Sequence, residues 1–342
     1  MIISDLKKGF SSFFEKYISK TYLGKLYSII ESNYNTIAVN QPFNEYDFSN
    51  DAIRLQFLIS TSSQGLLLFN NNKITRLFNE KGFYGITFYK SYFYCFCKTG
   101  RFGKVISFRI KDGFAINVQN RIHGLSKGIH QIDFIDDDLY VINTYNNSIL
   151  IYKNIASKKN IFWSEFDEQI FPNGELKYGR ESSNYNHFNS LYKFNEDLLV
   201  VAHNETYKTR KKSEIFQLDI NSYKTKNISE IDGSSCHNIF KDDIREIICK
   251  SLESTLTINN KDYFISNDIL TRGLAITNKY ILVGGSDFAF KRELRNHTNG
   301  YVYIFNNSMD LIESIKINNT QIHELLIISE VDKSIINFAG NL

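Results

Sequence analysis

From residue 55 onward the chain repeats a pattern of short apolar strands separated by turns rich in Asn, Asp and Gly. The clearest unit runs from His130 to Lys153 and predicts an antiparallel meander of three strands. Related units begin at six positions that we call the anchors: Tyr84, His130, His187, His237, Arg272 and His323. Successive anchors are about 48 residues apart on average, and a period of roughly 40–50 residues with about four strands per unit is typical of a β-propeller.

The number of anchors predicts an all-β, six-bladed β-propeller. The last anchor, His323, leaves too few residues for a complete blade, whereas residues 55–78 carry strands without an anchor. We therefore expect the C-terminal strand to complete the first blade, so that the N- and C-terminal strands share a blade. Closure of this kind removes exposed sheet edges.

The first part of the chain has a different pattern. Between residues 4 and 32, apolar side chains recur at three- and four-residue steps with Lys and Glu between them, which is typical of an amphipathic helix. We expect residues 1–50 to form an N-terminal α-helical arm and residues 51–342 to form the propeller. The arm would pack against the propeller, or contact a membrane surface or a protein partner.

The strand pattern over residues 55–342 resembles six-bladed propellers of the broad NHL, gluconolactonase and virginiamycin-lyase type. The resemblance rests on the rhythm of the blades. Calcium-binding members of this group carry Glu, Asn and Asp on the propeller axis, and the corresponding positions have no match here. The resemblance therefore implies a fold, and the lactonase chemistry of those members is not carried over.

Composition and motifs limit the classes of function. The 40 Lys and Arg and 37 Asp and Glu give a net charge of +3, too balanced to indicate a nucleic-acid partner. No CxxC pair occurs among the four cysteines, which argues against a disulfide framework or a structural zinc site. The sequence shows no secretory signal or apolar run of membrane-spanning length, so we expect a cytoplasmic protein. Nucleotide-binding, zincin and α/β-hydrolase motifs are also missing.

The anchors predict a site on the propeller axis. The innermost strand of each blade starts at one mouth of the central channel, so the anchors should form a ring there. Four of the seven histidines occupy anchor positions, and converging imidazoles can bind zinc, iron or manganese. We therefore expect a divalent transition metal to be held by four ligands: His130, His187, His237 and His323. Two alternatives remain open, namely metal-free chemistry by His with Arg272, and structural histidines that the blades share.

The remaining anchors and three basic loops predict an anionic substrate, either a small molecule or an acidic saccharide. Tyr84 would move a proton and Arg272 would hold the anion, in a lyase or hydrolase reaction. The loops between the second and third strands should lie at the same mouth, and they supply the expected substrate-binding residues: Arg101, Lys208, Arg210, Lys291, Arg292 and Arg295. A metal-free transferase and a non-catalytic binding platform are the alternative functions.

The sequence gives less support for a role of several further residues near the predicted mouth. His203 and His297 could reach it, and we expect each to be a surface or hydrogen-bonded histidine. Three acidic residues are candidate supporting carboxylates, namely Glu181, Asp287 and Glu324.

Overall fold

Short β-strands account for nearly all the regular structure of this computed structural model, which describes residues 36–48, 54–174, 185–289 and 291–338. The predicted N-terminal helix lies outside the described residues. The first nine strands are β1 (Gln41–Phe43), β2 (Tyr46–Phe48), β3 (Gln56–Thr61), β4 (Leu66–Asn70), β5 (Lys73–Phe78), β6 (Phe83–Tyr89), β7 (Tyr92–Thr99), β8 (Phe102–Lys111) and β9 (Phe114–Leu125).

The second half of the chain continues the same pattern. The next nine strands are β10 (Ile129–Ile135), β11 (Asp138–Asn143), β12 (Ser148–Tyr152), β13 (Ile161–Phe162), β14 (Glu168–Ile170), β15 (Phe188–Phe194), β16 (Asp197–Ala202), β17 (Glu214–Asp219) and β18 (Thr225–Glu230). The last nine are β19 (His237–Lys241), β20 (Glu246–Lys250), β21 (Thr255–Ile258), β22 (Lys261–Phe264), β23 (Ile269–Ile276), β24 (Tyr280–Asp287), β25 (Gly300–Asn306), β26 (Leu311–Ile317) and β27 (Ile322–Ile327).

Helical structure within the described residues is limited to single turns and short 3₁₀ segments. These are α1 (Thr206–Thr209) and the 3₁₀ segments Thr144–Asn146, Ile155–Ser157 and Arg292–His297. No helix in this part of the chain is long and apolar enough to cross a membrane.

The strands form six sheets, which are the blades of a propeller. From inner to outer strand they are blade 1 (β27-β3-β4-β5-β1), blade 2 (β6-β7-β8-β9-β13), blade 3 (β10-β11-β12-β14), blade 4 (β15-β16-β17-β18), blade 5 (β19-β20-β21-β22) and blade 6 (β23-β24-β25-β26-β2). The six innermost strands contact one another in this order around a closed ring. The six-bladed propeller predicted from the anchors is therefore confirmed.

Blade 1 closes the ring with strands from both ends of the described chain. Strand β27 pairs antiparallel with β3, with Ile327 opposite Phe57 and Ile322 opposite Thr61. The predicted shared blade is present. Two short strands extend the arrangement, because β1 pairs with β5 at the outer edge of blade 1 and β2 pairs with β26 at the outer edge of blade 6. Both short strands lie before residue 51, where we expected the propeller to begin.

The apolar core lies between neighbouring blades. The inner strands of each sheet are covered on both faces, so they carry nearly continuous apolar runs of the kind seen in β7. Between blades 2 and 3, Tyr89 stacks on Phe134 with ring centroids 4.2 Å apart. The four cysteines are buried in such interfaces and none forms a disulfide.

A register shift accompanies the start of every innermost strand. In all six blades the pairing between the innermost strand and its neighbour skips one or two residues. Four anchors are among the skipped residues: Tyr84, His130, Arg272 and His323. His187 and His237 come just before the shift in their blades. Because a β-bulge bends its strand and re-aims the side chain, these shifts position the anchors at the channel.

The C-terminal segment, residues 328–338, covers the other end of the channel. Its backbone contacts the far ends of innermost strands, since Lys333 N donates to Ile276 O at 2.7 Å and Tyr192 Oη donates to Lys333 O at 3.0 Å. Asn337 Nδ2 donates to Phe134 O at 2.7 Å, which ties the segment to blade 3. We call this segment the C-terminal plug, and we call the end of the channel with the anchors the mouth.

Candidate functional site

Aromatic rings line one side of the mouth in direct contact. The ring of Tyr84 stacks on His323 with centroids 3.9 Å apart and an interplanar angle of 14°. On its other side Tyr84 lies 5.7 Å from His130, again nearly parallel. Lys98 completes this group, because its Nζ donates to the Tyr84 hydroxyl at 2.7 Å. Tyr84 therefore separates His323 from His130 and carries a hydroxyl stabilised by a cation.

The ring of side chains continues through three more histidines. His187 lies 5.0 Å from His130 and 4.6 Å from His203, and His203 lies 5.1 Å from His237, all between ring centroids. His203, which we expected to be a surface or hydrogen-bonded histidine, is hydrogen-bonded and occupies a place in this ring. Glu205 contacts the same group, with Oε1 3.4 Å from His187 Nδ1.

Hydrogen bonds fix the neutral tautomers of two of these histidines. Nδ1 of His237 lies 2.9 Å from the Ser235 carbonyl, which only accepts, so Nδ1 carries the proton and Nε2 keeps its lone pair. In His203 the reverse holds, because Nδ1 accepts a hydrogen bond from Glu205 N at 3.0 Å. Neutral His203 therefore carries its proton on Nε2. The mouth thus contains one imidazole ready to accept a proton and one ready to donate a hydrogen bond.

Burial keeps four histidines of the mouth neutral, namely His130, His203, His237 and His323. Burial, and then the nearby Arg272 guanidinium, hold the pKa of His130, His237 and His323 well below the usual range. Burial has the same effect on the pKa of His203. Three ring nitrogens are buried without a hydrogen bond among the described residues, namely Nδ1 of His130 and both nitrogens of His323.

Arg272 places a permanent cation in this ring. Its guanidinium carbon lies 5.3 Å from the centre of the Tyr84 ring. The side chain makes no hydrogen bond or ion pair with any residue that the structure describes. A guanidinium withdrawn from bulk water without a counter-ion is costly, and the cost is offset when an anion binds. Burial accordingly lowers the pKa of Arg272.

Glu324 lies close to Arg272 and does not neutralise it. Its carboxylate accepts hydrogen bonds from Asn238 Nδ2 at 3.1 and 3.2 Å and lies 3.5 Å from Leu274 N. Burial nevertheless raises the pKa of Glu324 to about 8, and the attraction of Arg272 only partly opposes this shift. At neutral pH Glu324 is mostly protonated, so the charge of Arg272 stays uncompensated.

The burial of Glu324 predicts that the free energy of unfolding depends on pH. Between the ordinary value of 4.5 and about 8, the folded protein holds a proton on Glu324 that the unfolded chain has released. The free energy of unfolding should therefore decrease as pH rises, by about 2 kcal/mol from pH 6 to pH 8. Glu324→Gln keeps a neutral side chain of the same size and should remove this pH-dependent contribution. Chemical denaturation of the wild type and the variant at both pH values measures the difference. Equal pH slopes for wild type and variant would contradict this assignment.

The four predicted metal ligands lie around the mouth with other side chains between them. Within the described ranges, no three His, Cys, Asp or Glu side chains are grouped so that they could hold a metal ion. Tyr84 lies between His323 and His130, and the Arg272 guanidinium repels a divalent cation among the same imidazoles. The site built from His130, His187, His237 and His323 stays a prediction that this arrangement does not favour.

Two of the expected substrate-binding residues lie near the mouth. The charge of Arg295 lowers the pKa of His203, His323 and Arg272, which places its guanidinium within electrostatic reach of the ring. Lys208 forms an ion pair with Glu205, the carboxylate that contacts His187. The pKa of Glu205 is held down to about 2 by His187 first and then by Lys208.

The structure does not connect the other four predicted substrate-binding residues with the mouth. Arg101, Arg210 and Lys291 are exposed. Arg292 lies in the 3₁₀ segment Arg292–His297, and its side chain is outside the described part of the structure. These four stay predicted substrate-binding residues. Our sequence reasoning also missed Glu205 and the nearby Tyr185, whose hydroxyl lies 3.1 Å from His187 Nδ1. Neither residue falls at a repeated position, so the repeat carries no information about them.

Comparison with known proteins places the chain by its fold alone. No protein-family model and no curated protein sequence matches it. Among solved structures, it is similar to a chain of a nidogen–laminin complex with a TM-score of 0.55 and 9% identity, covering 80% of this chain and 97% of that one. A protein from Lactobacillus plantarum is similar with a TM-score of 0.51 and 12% identity, covering 80% and 99%.

A third similar structure is a putative 6-phosphogluconolactonase from Bacteroides fragilis. Its TM-score is 0.49 at 12% identity, covering 82% of this chain and 99% of that one. Likeness at these identities shows the fold and carries no argument about activity. The likeness to the first two structures is one of fold, and the six blades of this chain agree with the fold-level resemblance that the strand rhythm predicted.

Proposed function

We propose that the mouth binds the anionic group of a small molecule, with an acidic saccharide as the substrate class. The observation that carries the proposal is the Arg272 guanidinium, which has no hydrogen bond or ion pair with any described residue. A carboxylate, sulfate or phosphate matches the planar donors of arginine and would offset the cost of its burial. Because neighbouring anchor rings contact one another, only the anionic group would enter between them.

The surrounding charges support an anion over a cation. Lys98 and Arg295 add positive charge near Arg272, while Glu324 is mostly protonated at neutral pH. Glu205 is ionised but already engaged by Lys208 and His187. Neutral imidazoles contribute N–H donors without adding charge. The field at the mouth is therefore positive although the net charge of the whole chain is only +3.

A metal-free lyase reaction fits these groups best. The unprotonated Nε2 of His237 would take the proton from the carbon next to the substrate carboxylate, and Arg272 would stabilise the negative charge that develops on that carboxylate. The electron pair then forms a C=C bond as an oxygen leaving group departs from the adjacent carbon. Tyr84 would protonate the leaving oxygen, with Lys98 stabilising the tyrosinate. Return of the proton from His237 to Tyr84 restores both residues.

The proposal is tested by anion binding to an arginine variant. Removing the charge with Arg272→Gln should weaken binding of galacturonate or glucuronate about tenfold to a hundredfold, because a hydrogen bond to a charged group is lost. Isothermal titration calorimetry measures this loss, with neutral galactose as the ligand control. Arg245→Gln is the matched control, since Arg245 pairs with Asp242 at 3.0 Å in the β19–β20 turn, away from the mouth. A wild type that binds no anion would contradict the proposal and favour a non-catalytic binding platform.

The second candidate is the metal-dependent lyase or hydrolase expected from the four histidines. The unpaired buried nitrogens of His130 and His323 favour it, because neutral imidazole nitrogens are metal ligands. Elemental analysis of protein purified without a metal-affinity tag separates the two candidates. We expect no stoichiometric zinc, iron or manganese. A stoichiometric metal that disappears in the double variant His130→Ala/His237→Ala would support the metal enzyme instead.

A further inference from the structure

A cleft lies between blades 2 and 3, at the end of the propeller opposite the mouth. Its volume is about 270 Å³. Strand ends and turns of both blades form its walls, and its lining includes Tyr89, Lys90, Tyr92, Tyr94, Asp137 and Ser157. None of these residues is an anchor or belongs to the basic loops. The cleft is therefore separate from the site proposed above.

Packed aromatic rings make the walls of this cleft rigid. Tyr89 stacks on Phe134 at 4.2 Å, and Tyr94 meets the same ring edge-on at 4.8 Å. Arg121 supports the tyrosines from within, with its guanidinium 5.9 Å from the Tyr92 ring and 5.7 Å from the Tyr94 ring. The cleft is thus formed before any ligand arrives, which lowers the entropic cost of binding.

The two charged residues that line the cleft, and Arg121 behind its tyrosines, are already paired. Lys90 Nζ lies 2.9 Å from Asp137 Oδ1, so the two charged lining residues form an ion pair. Arg121 donates to Ser107 Oγ at 2.8 Å, Ala156 O at 3.0 Å and Lys158 O at 2.7 Å. A ligand of this cleft therefore gains little from a net charge, in contrast to a ligand of the mouth.

Two tyrosine hydroxyls are left for a ligand. The side chain of Tyr94 is only 1% exposed, and it lines the cleft. Neither its hydroxyl nor that of Tyr92 makes a hydrogen bond with any residue in the described part of the chain. Because both tyrosines line the cleft, their hydroxyls can exchange hydrogen bonds with a ligand there. The Ser157 hydroxyl, which donates to Asn154 O at 2.8 Å, still has acceptor capacity.

We propose that this cleft binds one hexose unit of a neutral saccharide. Tyrosine side chains offer a large apolar ring with a polar tip, which matches a sugar that has both C–H faces and hydroxyls at its edge. The volume is below the roughly 300–1,000 Å³ of sites for drug-sized molecules, so it suits a single ring. The Tyr92 and Tyr94 hydroxyls would exchange hydrogen bonds with the hydroxyls of the sugar.

Saturation-transfer difference NMR with the full chain tests this proposal. The probes are the methyl glycosides of glucose, galactose and mannose, together with N-acetylglucosamine. We expect at least one probe to bind, and Tyr94→Phe to weaken it about fivefold through the loss of one hydrogen bond. Tyr92→Ala should weaken binding of the probe further, because it removes an aromatic ring from the lining of the cleft. Tyr263→Phe, in β22 of blade 5, is the matched control and should bind as the wild type does.

Other outcomes would overturn the proposal. Absence of binding by all probes, or binding that neither Tyr94→Phe nor Tyr92→Ala weakens, would contradict a sugar site in the cleft. Binding that is lost in Arg272→Gln and kept in Tyr94→Phe would place the sugar at the mouth. Because the mouth is tested with anions and the cleft with neutral sugars, either proposal can fail without the other.

Discussion

Replacement of Asp332 with alanine is expected to lower the free energy of unfolding by about 4 kcal/mol. Its buried carboxylate accepts hydrogen bonds from Ile327 N at 2.8 Å, Ile276 N at 3.1 Å and Ser334 N at 2.9 Å, and also from the Ser334 hydroxyl. These bonds join the C-terminal plug to the innermost strands of blades 1 and 6. Alanine would leave three backbone N–H groups without their acceptor and release the plug.

Chemical denaturation of the full chain at pH 7 measures this effect. The matched control is Asp310→Ala, because Asp310 is exposed and accepts a hydrogen bond from the Asn306 side chain at 2.9 Å in a surface turn. We expect the control to change stability by less than about 1 kcal/mol. A similar small change for Asp332→Ala would show that the plug contributes little to closing the propeller.

The second large effect is expected at Gly284 in β24. A Cβ atom built there lies 2.1 Å from the carbonyl oxygen of Arg272 and 2.7 Å from Cγ2 of Ile322. Because the first of these contacts is with backbone, Gly284→Ala must displace the strand that carries Arg272. We expect a loss of about 3 kcal/mol in the free energy of unfolding. Anion binding by the folded fraction should weaken as well, since the guanidinium moves with its backbone.

Denaturation and calorimetry on the same preparations test both parts of this prediction. Gly174→Asn serves as the control, because no atom of the described residues beyond its chain neighbours lies within 4 Å of the Cβ position, and Asn tolerates the left-handed backbone there. The control should stay within about 0.5 kcal/mol of wild type. If Gly284→Ala changed neither the free energy of unfolding nor anion binding, the close contact between β23 and β24 would not constrain Arg272.

The repeat was sufficient to predict the propeller fold and the place of each anchor at the start of its blade. Strand length and turn composition recur with each blade, so His130 and Arg272 could be assigned to equivalent places without any knowledge of contacts. The closure by β27 and β3 followed from counting strands. In contrast, β1 and β2 have three residues each, and a pattern that short carries no recognisable periodicity.

The side-chain chemistry of the mouth could not be predicted in the same way. Which way an anchor points depends on the register shift at the start of its strand, and a shift of one residue turns a side chain to the other face. The repeat therefore placed four histidines near each other without showing that Tyr84 separates two of them. The closeness of Arg272 to the histidines and the contact of His203 with His187 are likewise products of packing. The C-terminal plug has no repeated pattern at all.

The most direct test of anion binding at Arg272 is anomalous diffraction from crystals soaked in selenate. We expect a selenium peak about 4 Å from the Arg272 guanidinium nitrogens in the wild type, because the selenate oxygens between them would accept charge-assisted hydrogen bonds at about 3 Å, and we expect no such peak in Arg272→Gln. The contradictory result would be an empty position beside Arg272 together with a zinc, iron or manganese absorption edge from an ion bound to His130 and His323. That result would make the mouth a metal centre.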